Sequence, residues 1–172
     1  MTAEKVRAYA DSVNFAALKY APRAKALKDL EDKLNALSYE ERQRLRSERL
    51  MNGWLAQMTE VEKERFIEAT MPTGFRQMIT AFEQMPDEKR HKVIEDALKN
   101  LRNGANRPPT GGAGKGSGDA PPLISPELEA KIRTIGLSEL LSKSSAQTKA
   151  EVAPFLEELQ RWMESGRLLR QP

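Results

Sequence analysis

With 39% hydrophobic and 31% charged residues, a chain of 172 residues can form one ordinary domain, or a domain with a small module, around a modest core. It contains no cysteine, which excludes disulfides, thiolate metal sites and cysteine nucleophiles. The 28 basic residues exceed the 25 acidic ones by three, and residues 1–49 carry that whole excess, 11 against 8, so the strong basic stripe of a dedicated duplex binder is missing.

The N-terminal "MTAEKVRAYADSVNF" is charged and amphipathic, with no apolar h-region, and no later run reads as a membrane span. A soluble, cytoplasmic protein is expected. Val6, Tyr9, Ala10, Val13, Ala17 and Tyr20 recur at three- and four-residue spacing and predict a first helix. Pro22 suits the first turn of the next, whose stripe is Leu27, Leu30, Leu34 and Leu37. That stripe is too short for a coiled coil.

Three segments then share a punctuation: "LSYEERQRL" (37–45), "MTEVEKERF" (58–66) and "MPDEKRHKV" (85–93). Each has an apolar residue, a Ser, Thr or Pro, a charged first turn, and an apolar residue eight positions on. Ser38 with Glu41 and Thr59 with Glu62 fit capping boxes, and the early acids suit the helix dipole. Their unequal spacing argues against a solenoid. Within "ERQRLRSER" (41–49), a helical wheel places Arg42, Arg46 and Arg49 on one face and Met51, Trp54, Leu55 and Met58 on the other. Those arginines could grip phosphates with Trp54 stacking a base. The favoured reading makes them a solvated back and puts Trp54 in the core.

Five of the seven methionines fall between residues 51 and 85, a concentration that suits core filling or an adaptable apolar groove for partner helices. The stretch 69–86 is the densest apolar part, and Pro72 with Gly74 predicts a tight turn inside it. Phe75, Met78, Ile79 and Phe82 would follow on a new helix. Val93, Ile94, Ala97, Leu98 and Leu101 make another, closed by Asn103-Gly104.

Residues 104–122, "GANRPPTGGAGKGSGDAPP", contain ten Gly or Pro and none of Leu, Ile, Val, Met or an aromatic. Such a segment cannot bury enough apolar area to offset its ordering entropy, so it reads as a flexible, exposed linker. Its "TGGAGKGSG" invites comparison with a phosphate-binding loop. The comparison fails, because Gly116 stands where a Ser or Thr should hold magnesium and Pro109 where the first glycine should be. No strand precedes it and no helix opens after it, so Lys115 is expected to contact no phosphate.

Beyond the linker, Ser125-Pro126-Glu127 starts a helix carrying Leu128, Ile132 and Ile135, ending near Gly136. Ser138 would cap a short helix with Leu140 and Leu141. A last helix, begun or kinked by Pro154 and stopped by Gly166, carries the stripe Val152, Phe155, Leu159 and Trp162. Period-two alternation is missing throughout. The expectation is an all-α fold without sheet: an irregular bundle of about five helices (1–103), a linker (104–122) and a small helical module (123–172).

The chemistry is sparse. His91, the only histidine, sits in a charged run that reads as solvated surface. Carboxylates adjacent in sequence point about 100° apart on a helix and do not converge on a substrate. With no nucleophile, base and orienting group in view, the chain is expected to be non-enzymatic, with no metal or cofactor. The leading expectation is an interaction or adaptor protein binding a protein partner through amphipathic helices, with Val152, Phe155, Leu159 and Trp162 as the docking stripe. A module of some fifty residues is near the lower limit for independent stability, so that stripe should dock on the first domain or on a partner. The alternative is a nucleic-acid-associated regulator using Arg42, Arg46 and Arg49.

Overall fold

The computed structural model describes residues 1–47, 50–102 and 124–168, with the side chains of 47, 50 and 162–168 left aside. The described residues form eight helices and no strand: α1 (Ala3–Ser12), α2 (Tyr20–Asn35), α3 (Tyr39–Ser47), α4 (Leu50–Leu55), α5 (Glu60–Glu83), α6 (Asp87–Arg102), α7 (Pro126–Lys143) and α8 (Ala146–Leu168). The linker, with Lys115, lies outside the described residues.

The first predicted helix divides in two. Val13 is extended, and the Asn14 side chain accepts a hydrogen bond from the Ala17 N–H at 3.2 Å, a local bond that competes with helix continuation. The detour turns Phe15 inward until only 1% of it is exposed. The leucine stripe of α2 forms as read, with Leu27, Leu30, Leu34 and the following Leu37 all buried. Thr59 and Glu62 complete the capping box that starts α5. Ser38 makes only half of one: the Glu41 N–H reaches its hydroxyl at 3.4 Å, while the Glu41 carboxylate accepts from the Ala3 N–H at 2.7 Å. Glu41 thereby caps α1, a helix 38 residues away.

The expected turn at Pro72 and Gly74 does not exist. α5 runs through both for 24 residues. Pro72 has no N–H to offer the Glu68 carbonyl, and an interior proline costs about 3 kcal/mol. Packing on both sides of it offsets that cost, with Phe66, Ile67 and Thr70 buried before it and Ile79 after. α7 likewise continues past Gly136, and α8 past Pro154 and Gly166. At Gly136 the reason is visible: an added Cβ would lie 2.9 Å from Cζ of Phe75, so the glycine lets the ring approach the α7 backbone.

α5 is the hub, packing against α2, α3 and most extensively α7, while α6 packs against α8. Lys131 on α7 pairs with Glu64 and Glu68, and Glu139 lies 3.5 Å from Arg76. These pairings advance together, so α7 runs parallel to α5. Arg90 with Glu151 and Arg102 with Glu158 show the same parallel sense for α6 and α8. A single apolar core results, in which Ile124, Leu128 and Ile132 join Leu30, Leu34, Leu45 and Phe66.

A methionine-lined cleft containing Arg42

α3, α4, α5 and α7 do not close completely. Between them lies a cleft of about 140 Å³, walled by Leu55, Met71, Phe75 and Ile132 among others, with Met51 and Met78 also on its surface. The methionine concentration therefore divides: Met58 is buried, whereas Met51, Met71 and Met78 line an opening. Flexible thioethers suit such a wall, because they can repack around different apolar shapes.

Arg42 enters this cleft rather than forming a solvated back. Its Nε donates to Gln77 Oε1 at 3.0 Å and its Nη2 to the Leu34 carbonyl at 2.7 Å. It packs against Gly74: a Cβ there would lie 3.5 Å from Arg42 Nη1 and 3.6 Å from Cδ, ordinary contact distances, so the guanidinium lies along the α5 backbone. Burial lowers the Arg42 pKa, the direction expected of a desolvated cation. Among the described residues no carboxylate pairs with it. Arg46, an exposed residue, also lines the cleft, and none of the described lining residues is acidic.

The wheel that grouped these arginines assumed one helix from 41 to 58. The chain instead starts a new helix, α4, at Leu50. Trp54 is in the core at 5% exposure, as expected, so its face is not presented for base stacking. With two Arg42 donors spent inside the fold, phosphate binding along an outer face would fall to Arg46 and Arg49, and Arg49 lies outside the described residues.

The other candidates are dispersed. His91 is exposed on α6. On α8, Leu159 is buried at 6% exposure and Val152 and Phe155 are half-buried, on a helix packed against α6; the Trp162 side chain lies outside the described residues. Leu159 of that stripe is thus taken up within the chain, and Val152 and Phe155 in part. Among the described residues no cluster of three or more His, Asp or Glu could hold a metal ion, and no helix is long and apolar enough to cross a membrane.

Two arginine clamps escaped the sequence reading. Arg23 donates through Nε and Nη2 to Glu62 at 2.6 and 2.8 Å, and also to the Phe15 and Gln57 carbonyls, joining the starts of α2 and α5 with the α1–α2 turn. The Arg23 guanidinium, reinforced by Thr59, pulls the Glu62 pKa down to about 2. Arg90 grips Glu151 at 2.8 and 2.9 Å, Asp87 at 2.7 Å and the Met85 carbonyl at 2.9 Å. Beside it, Glu83 accepts from the Ser145 N–H and the Thr148 hydroxyl, which holds the start of α8 and keeps the Glu83 pKa low. Both clamps are saturated, which marks them as fasteners rather than binding sites. Both depend on tertiary proximity that spacing in sequence does not encode.

Comparison with protein-family models, with curated proteins and with solved structures finds no match in any of the three.

Proposed function

We propose that this chain is a non-enzymatic interaction protein whose recognition surface is the methionine-lined cleft between α3, α4, α5 and α7. The observation that supports this most is the coincidence of Met51, Met71 and Met78 around an open apolar cleft. Leaving such a cleft without a packed partner forgoes dispersion contacts. An apolar anchor from a protein partner would restore them. The α8 stripe is the weaker candidate surface, since α6 already covers much of it.

The test is a paired capture. Gly74→Leu should fill the cleft from within, because a side chain at this position would project beside Arg42 into the opening. A partner retained by the unaltered chain and lost with Gly74→Leu, at unchanged helicity, is the expected result. Equal capture by both would move recognition away from the cleft.

A further inference from the structure

The cleft offers two different things within one small space. Its walls are apolar, and its volume of about 140 Å³ is on the scale of a cavity that accepts one benzene-sized group. A docked helix would need a long groove for anchors spaced over several turns. This cavity has room for one anchor side chain. Into the same space projects a guanidinium whose Nε and Nη2 are committed to neutral acceptors, Gln77 and Leu34, while its Nη1 donates to no group among the described residues. A second arginine, Arg46, lies on the lining, and among the described residues no acid does.

A buried or half-buried cation ordinarily has an anionic partner, because its desolvation is otherwise uncompensated. Here Arg42 lines the cleft and has no such partner among the described residues. The group that fits must therefore carry an apolar side chain and a carboxylate on nearly the same atom. An acidic residue inside a helix separates its carboxylate from a neighbouring apolar anchor by a turn. A C-terminal apolar residue does not, since its side chain and its terminal carboxylate share one Cα. Resting on the reading of the cleft as the recognition surface, we infer that it receives the C-terminal apolar residue of a partner chain, its carboxylate paired with Arg42. The wall of Met71 and Phe75 takes the side chain. Gln43 and Asn52, also on the lining, bring amide groups to the same cleft.

The probes are N-acetyl-Ala-Ala-Leu as free acid and as amide, together with 4-methylpentanoate, titrated into the full chain and followed by amide chemical shifts. The acid should bind about tenfold more tightly than the amide, as a charge-assisted pair in a partly dry site demands. That advantage should weaken with added salt and vanish in Arg42→Gln. The acid–amide comparison on the unaltered chain stands independently of whether Arg42→Gln folds. Equal binding of acid and amide in the cleft would overturn the carboxylate pairing and leave the cleft as an apolar site. Binding of 4-methylpentanoate as tight as the peptide acid would overturn the chain-terminus assignment in favour of a small free acid. No shift at Met71, Gly74 or Phe75 with any probe would bring down the cleft reading and this inference together.

Discussion

Replacing Glu62 by glutamine isolates the Arg23 clamp with little change of shape. In the folded chain the Glu62 carboxylate accepts two bonds from Arg23 and two from Thr59, and its pKa falls from 4.5 to about 2. At about 1.4 kcal/mol per unit this is worth roughly 3 kcal/mol, reduced to about 2 kcal/mol because both side chains keep some contact with water. A depressed carboxylate pKa adds stability that is complete above the unfolded value near 4.5. That stability drains away as pH falls from there through about 2. Urea unfolding monitored by circular dichroism, for the unaltered chain and Glu62→Gln across this range, gives the test. The variant should be less stable by about 2 kcal/mol at pH 7, and the gap should close steadily below pH 4.5. Other acids, Glu83 and Glu151 among them, also hold lowered pKa values, so both proteins lose stability in acid; only the difference belongs to Glu62. Two curves that stay parallel from pH 7 to pH 2 would refute the assignment of this stability to the clamp.

Two glycines inside helices should respond oppositely to alanine. Gly53 has nothing within 4 Å of an added Cβ, so Gly53→Ala should stabilise by up to about 1 kcal/mol. Gly136→Ala meets the Phe75 ring at 2.9 Å, and overpacking of about 1–3 kcal/mol should outweigh the same helical gain. Thermal melts decide it; equal shifts for both would show that the ring does not restrict α7, whereas rescue of Gly136→Ala by Phe75→Leu would confirm the clash. Arg90→Met should unfasten α8 from α6, accelerating hydrogen exchange in residues 146–161 while α1 and α2 keep their protection. Uniform acceleration throughout the chain would mean that the Arg90–Glu151 pair supports the whole fold instead.

Features governed by local chemistry were legible in the sequence. The all-α class follows from periodicity, the α2 stripe from four leucines, and the start of α5 from Thr59 and Glu62. Trp54 could be assigned to the core because its neighbours at helical spacing are apolar. Pro72, Gly136 and Gly166 were misread for a common reason. Each disfavours a helix locally by an amount that packing between distant segments can exceed, and that packing has no signature in a short window. Arg42 was hidden differently. An arginine in a charged run looks solvated, and only the packing of α3 on α5 and α2 brings it to the Gln77 side chain and the Leu34 carbonyl that hold it inside.

α7 bears on the two halves of α5 separately. Lys131 holds Glu64 and Glu68 ahead of Pro72, whereas Gly136 and Glu139 meet Phe75 and Arg76 behind it. It therefore acts as a splint across the proline, and it is encoded more than fifty residues later than the joint it stiffens. On a ribosome, α5 emerges long before its splint, so a nascent chain ending near residue 102 would carry an articulated α5. It would also lack Ile124 and Ile132, two residues of the cleft wall. On the proposed reading of the cleft as the recognition surface, its completion waits for α7. Chains ending near residue 102 should therefore bind nothing at that surface.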